Sequence, residues 1–244
     1  MTDGAPPIQA RPSPNFGPRR PDADGRQAAV DMLVLHYTDM ENATVSLDRL
    51  CDPSAQVSAH YLIDEDGTIH QLVAEAERAW HAGLAYWRGI RDVNSRSIGI
   101  ELQNPGHRLG YRPFPDAQID SLIALAHDLL TRHPIRPRNI LGHSDVAPAR
   151  KRDPGELFPW PRLAAHGIGL WPDGPVEAGG SLPDILAGIG YDREAEHLVE
   201  AFQRRYRPAR IDGRADAETT GLAAAVLALC EETDTPRAEG DEEP

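Results

Sequence analysis

The sequence predicts an α/β fold, a mixed central β-sheet flanked by helices, followed by a small C-terminal three-helix domain. Met32-Leu33-Val34-Leu35 is a short continuous apolar run, the pattern of a strand buried on both faces. Residues 116–132 repeat apolar side chains at helical spacing, with Pro115 before them and Pro134 after. Residues 139–143 then return as a strand, so strands, a helix and a further strand alternate around one sheet.

Taken in order, residues 1–30 are rich in Pro, Gly, Arg and Asp without periodicity and read as an extended arm, either wrapped over the domain or loose. The first strand ends in His36-Tyr37-Thr38, which puts polar residues at a strand end. Residues 57–63 and 68–73 flank Asp64-Glu65-Asp66-Gly67, and the Asp-Gly step marks a β-hairpin. Trp80-His81-Ala82-Gly83 opens an irregular stretch with Trp87, too broken for a helix and aromatic enough to line a groove. Residues 97–103 alternate with period two. Ile98, Ile100 and Leu102 face one way, and Ser97, Gly99, Glu101 and Gln103 the other, so Glu101 is either a solvated strand carboxylate or an acid turned into a cleft. His127 lies on the polar side of the long helix and is assigned no role.

The domain built from these elements spans residues 31–172. The Pro/Gly-rich segment 173–181 is a linker, residues 182–230 form the three short helices, and the acidic residues 231–244 form a disordered, solvated tail.

Composition narrows the function. The net charge is −13, of which the acidic tail supplies −6, and the remainder still disfavours a nucleic-acid partner. No apolar run approaches the roughly 18 residues of a membrane helix, and the first thirty residues hold no signal-peptide core, so a cytoplasmic protein without a membrane partner is expected. Cys51 and Cys230 follow no metal-binding spacing and read as lone thiols.

The segment from Gly142-His143-Ser144-Asp145 through Lys151-Arg152-Asp153-Pro154-Gly155 concentrates candidate metal ligands, a cation and turn-formers. Pro148, Pro154 and Pro159 bar a continuous helix, so this loop can fold back and bring Asp153 to His143. A catalytic zinc takes three protein ligands and keeps a fourth position for water. His36, the other strand-end histidine, is the candidate third, although three scattered residues are a weaker signal than a contiguous HExxH helix.

Residues 32–171 resemble the zinc-dependent N-acetylmuramoyl-L-alanine amidases of the type 2 family, relatives of the peptidoglycan recognition proteins. The resemblance is carried by Val34-Leu35-His36-Tyr37-Thr38, Val57-Ser58-Ala59-His60-Tyr61-Leu62-Ile63, Ala79-Trp80-His81-Ala82-Gly83, Ser97-Ile98-Gly99-Ile100-Glu101, Gly142-His143-Ser144-Asp145 and Lys151-Arg152-Asp153-Pro154-Gly155. It implies a zinc ion held by His36, His143 and Asp153, with Glu101 passing protons and Lys151 facing the oxyanion. His60, His81 and Tyr37 are then either substrate contacts or structural supports. The implied reaction is hydrolysis of the amide between the muramoyl (or anhydro-muramoyl) group and L-alanine in peptidoglycan fragments during cell-wall recycling. The competing readings are a metal-free recognition module, which Asp153 argues against, and an exported remodelling amidase. Ala201-Phe202-Gln203-Arg204-Arg205 and Ile211-Asp212-Gly213-Arg214-Ala215-Asp216 are similar to a small peptidoglycan-binding domain, the alternative being a helical cap on the catalytic domain.

Overall fold

The computed structural model describes residues 7–22, 25–26 and 28–234. In chain order it runs β1 (Ile8–Ala10), β2 (Phe16–Pro18), β3 (Met32–Tyr37), α1 (Ala43–Cys51), β4 (Tyr61–Ile63), β5 (Ile69–Gln71), β6 (Glu77–Ala79), α2 (Val93–Arg96) and β7 (Ser97–Leu102). It continues with α3 (Gly106–Leu109), α4 (Asp116–Arg132), β8 (Ile140–Gly142), α5 (His143–Val146), α6 (Trp160–Ala165), α7 (Leu182–Ile189), α8 (Leu198–Tyr206) and α9 (Ala217–Asp234).

The main sheet is mixed, in the order β1-β5-β4-β7-β3-β8. β3 lies inside it, parallel to β7 on one side and to β8 on the other, which is why its apolar run needs no polar alternation. Leu33 and Leu35 point into a core shared with Ile98, Ile100 and Leu102 of β7 and with Ile119, Leu122, Leu125 and Leu129 of α4. Each of these side chains contributes about 1.5–3 kcal/mol by leaving water. β4 and β5 form the expected hairpin, with the Asp64 amide donating to the Thr68 carbonyl (2.9 Å) and Gly67 at φ +89. Gly67 is required there, since a Cβ would lie 2.8 Å from the Ala117 carbonyl oxygen.

The arm is wrapped over the domain. β1 adds a parallel edge strand to β5 and β2 pairs with β6. Between and after them, Asn15 Nδ2 donates to the Asp52 and Val57 carbonyls (2.8 and 2.9 Å), and Arg19 Nη1 to the carbonyls of Asn94, Ser95 and Ser97 (3.2, 3.0 and 3.1 Å). A proline-rich segment lacking periodicity is thus ordered by side chains that cap backbone groups of other elements.

The C-terminal helices do not hang from a linker. Met32 and Val34, on the opposite face of β3 from α4, share a core with Leu141, Trp87, Leu186, Phe202 and Val226, so α7, α8 and α9 form part of the sheet's second covering layer. The 173–181 segment packs too, with the Val176 amide donating to the Gly221 carbonyl (3.1 Å). Of the acidic tail expected from residue 231, residues 231–234 are instead the last turn of α9, where Asp234 is held by Arg136 and Arg138. Residues 235–244 of the expected tail and residues 1–6, 23–24 and 27 of the arm lie outside the described residues. Among the described residues no helix is long and apolar enough to cross a membrane.

Candidate metal and amide-hydrolysis site

The parallel strands β3, β7 and β8 deliver their C-terminal ends to one side of the sheet, where open α/β sheets carry their ligand crevices. His36 sits on β3 directly beside Glu101 of β7, and His143 follows β8 as the first residue of α5. Asp153 returns on the loop, and the Ser144 amide donates to its backbone carbonyl (2.9 Å). All three of the scattered candidate ligands therefore meet. Nδ1 of His36 lies 2.9 Å from Nδ1 of His143, and each nitrogen lies 3.0 Å from Oδ2 of Asp153.

The hydrogen bonds around this triangle fix the imidazole tautomers. The Ser97 hydroxyl donates to the Val93 carbonyl (2.7 Å), so it accepts from Nε2–H of His81 (3.1 Å). Nδ1 of His81 then accepts from Nε2–H of His36 (3.0 Å), leaving Nδ1 of His36 with a lone pair. His143 donates Nε2–H to the Ala82 carbonyl (3.0 Å), which leaves its Nδ1 facing inward. Two nitrogen lone pairs and a carboxylate oxygen thus converge within 3.0 Å, a donor set that fits one cation. Tetrahedral coordination at about 2.0–2.2 Å would place such atoms about 3.3–3.6 Å apart, a little wider than they stand here. Among the described residues this trio is the group of histidine and carboxylate side chains arranged to hold a metal ion.

Electrostatics agree with that arrangement. Burial, reinforced by His143, lowers the His36 imidazole to about 4, keeping it neutral. Burial pushes the Asp153 carboxyl up, and it lies well below the usual carboxylate range only where the two histidines carry charge or donate to it; with both Nδ1 lone pairs turned inward, a cation takes that part. Glu101 behaves oppositely: burial first, and then the charge of Asp153, raise it well above 4.5, partly offset by Lys151. Its Oε2 is buried and has no hydrogen-bond partner. Glu101 and Lys151 line the same cleft of about 490 Å³ as the three convergent side chains.

Tyr37 and His81 line this cleft and His60 does not. Tyr37 donates its hydroxyl to Nδ1 of His107 (2.8 Å), and His107 Nε2–H donates to Glu156 (3.1 Å), so the phenol is oriented at the cleft wall. His60 is fully buried. Its Nδ1 accepts from the Gly99 amide (3.0 Å) and its Nε2 faces the Glu77 carbonyl (3.1 Å), so both ring nitrogens are turned to backbone groups and away from the cleft. His81 is both wall and support, lying so close over β7 that a Cβ on Gly99 would come within 2.5 Å of its ring.

Sequence reasoning missed Ser97, the Ala82 carbonyl and Asp145. The small residues Ser97 and Gly99 on the polar face of an alternating strand are the signal that a side chain lies tightly across that face. Asp145 closes the turn that carries His143, accepting from the Gly142 amide (2.8 Å).

A family profile described as N-acetylmuramoyl-L-alanine amidase matches residues 26–156. N-acetylmuramoyl-L-alanine amidase AmiD of Escherichia coli is 42% identical over 241 residues, covering 85% of this chain and 86% of that protein. The 1,6-anhydro-N-acetylmuramyl-L-alanine amidase AmpD of Enterobacter cloacae is 44% identical over 109 residues, 45% of this chain and 56% of that protein. Among solved structures, E. coli AmiD in complex with the substrate anhydro-N-acetylmuramic acid-L-Ala-D-γ-Glu-L-Lys superposes with a TM-score of 0.74 at 38% identity, over 88% of this chain and 98% of that one. AmpDh3 of Pseudomonas aeruginosa in complex with an anhydromuramic pentapeptide gives a TM-score of 0.74 at 31% identity, over 90% and 96%. With the fold, the match across the catalytic segment and the near full-length similarity in agreement, the chain belongs to the N-acetylmuramoyl-L-alanine amidase family.

Proposed function

We propose that this amidase hydrolyses the bond between the anhydro-muramoyl or muramoyl lactyl carbonyl and L-alanine in soluble peptidoglycan fragments, as a recycling enzyme, with zinc held by His36 Nδ1, His143 Nδ1 and Asp153 Oδ2. The observation that carries the reading is the convergence of those three donor atoms at 2.9–3.0 Å beside a buried, unpartnered Glu101 oxygen. The muropeptide ligands of the AmiD and AmpDh3 complexes support the substrate class.

Zinc bound there supplies a Lewis acid that polarises the scissile carbonyl and acidifies water. Glu101 takes the proton of the attacking water and hands it to the departing L-alanine nitrogen. A carboxyl raised by burial beside Asp153 suits both halves of that exchange, because it takes and holds a proton more readily than an exposed glutamate. Lys151 places a positive charge on the wall of the same cleft, where it stabilises the oxyanion. His81, Ser97 and Ala82 hold the two imidazoles in the tautomers that expose Nδ1. Tyr37 flanks the substrate.

The test is to measure zinc per chain and to follow cleavage of an anhydro-muramoyl tripeptide by mass spectrometry. One zinc per chain, release of the intact tripeptide and loss of both on chelation are expected. Full activity in metal-free protein would refute the reading.

A further inference from the structure

The turn that delivers His143 is gripped from the C-terminal helices. Asp145, 1% exposed, accepts through Oδ2 from the Gly142 amide (2.8 Å) and from Nη1 of Arg205 on α8 (2.6 Å). Its Oδ1 accepts from the hydroxyl of Tyr191, just beyond α7 (2.7 Å). Nη2 of the same Arg205 donates to the Ile140 carbonyl on β8 (3.1 Å), and the guanidinium lies 3.8 Å above the Trp160 ring. One guanidinium therefore bridges the strand and the carboxylate that closes the turn, and His143 lies between the two bridged residues. The turn also reaches Asp153, through the Ser144 amide and the Asp153 carbonyl (2.9 Å).

A salt bridge needed only to fasten the helical layer could end anywhere on the sheet. This one ends on the six residues that present one candidate ligand and anchor the backbone of another. From this geometry we infer that Arg205 and Tyr191 are positioning residues for the metal site, acting through Asp145 to hold His143 and Asp153 in register with His36. The inference rests on the zinc reading above and makes the C-terminal helices part of the scaffold of the reaction centre. Lysine cannot replace the arginine, because a single ammonium does not present the planar fork that reaches the carboxylate and the Ile140 carbonyl together.

The experiment uses the full chain, with zinc removed and then back-titrated against a competing chelator, in Tyr191→Phe and Arg205→Lys. Arg207→Lys is the comparison: Arg207 is equally buried but pairs with Asp212 and Asp216 in the segment between α8 and α9 and does not touch Asp145. Zinc Kd should rise about 10–100-fold in Tyr191→Phe and Arg205→Lys, the range for losing a group that orients a metal ligand, with kcat falling and KM for a small muropeptide nearly unchanged. Arg207→Lys should lower the melting temperature while leaving zinc Kd as in the wild type. If Tyr191→Phe and Arg205→Lys melt earlier but bind zinc as tightly as the wild type, the contacts only fasten the helices and the inference fails. A wild-type chain that binds no zinc would instead bring down the metal reading beneath it.

Discussion

His36 and Glu101 are direct partners in the parallel pairing of β3 and β7, so two adjacent backbones separated by one strand spacing carry a proposed metal ligand and the proposed proton carrier side by side. Neither position depends on a flexible loop. Glu101→Gln keeps the shape and removes the proton carrier. It should retain one zinc per chain and lose about 10²–10⁴-fold in turnover. Because Glu101 titrates well above 4.5, the rise of activity with pH that reports its deprotonation should lie above the range of an exposed glutamate and vanish in the variant. Near wild-type turnover in Glu101→Gln would return this carboxylate to a structural status.

Lys151 should be separable from Glu101 by its effect on that same limb. Lys151→Ala should spare zinc binding and cut kcat by about 10²–10³-fold, the range for one oxyanion-stabilising contact. The lysine also lowers the Glu101 carboxyl by its charge, so removing it should move the ascending limb to higher pH. A reduced kcat with an unmoved limb would leave Lys151 too far from Glu101 to be its neighbour in the reaction.

The candidate site was legible where chemistry and chain order coincide. His36 and His143 stand at the ends of apolar runs, Asp153 lies in a proline-bounded loop, and the period-two pattern put Glu101 opposite Ile98 and Ile100. The supports were not legible, because each joins groups that no local pattern connects. Ala82 acts through its backbone carbonyl, and Arg205 reaches Asp145 across 60 residues. The arm and the C-terminal helices illustrate the same limit. Their composition marks extended and helical segments, but only the folded chain reveals that Arg19 caps three carbonyls or that Val34 needs Phe202 as a neighbour.

Acid stability offers a test of the buried histidines. Burial, then the nearby charge of Arg19, lowers His60 to about 3, whereas in the unfolded chain it titrates near 6.5. Between those values the unfolded state binds the extra proton, so stability is lost as pH falls below about 6.5 and the loss ceases near the folded value. His60→Asn should be less stable at pH 7.5, since one of its two backbone contacts is broken. Its stability should nevertheless fall less steeply from pH 6.5 to 4.5, by up to about 1.4 kcal/mol per pH unit for one proton. Urea unfolding at stepped pH measures the slopes, and equal slopes would mean that His60 is charged in the folded state.

The last prediction concerns the C-terminal helices. Read from the sequence, the Pro/Gly-rich segment separates a glycan anchor from the catalytic domain, and a chain cut at residue 181 should still hydrolyse a small muropeptide. The structure argues otherwise. Val34 and Leu141 are fully buried, Trp87 and Met32 nearly so, and all four lie in the core shared with α7, α8 and α9. Uncovering them would forfeit on the order of 6–12 kcal/mol of burial, comparable with the whole stability of a typical domain. The same cut leaves the Asp145 carboxylate without Arg205 and Tyr191 and takes from Arg138 the Gly188 and Ile189 carbonyls and Asp234. Removing one partner from a buried ion pair is costlier than never having built it. The fragment 1–181 should therefore show no cooperative melt, expose apolar surface to a fluorescent probe, and lose activity on small and polymeric substrates alike. A monomeric fragment that melts cooperatively and turns over the small muropeptide at the full-length rate would establish the helices as a separable anchor.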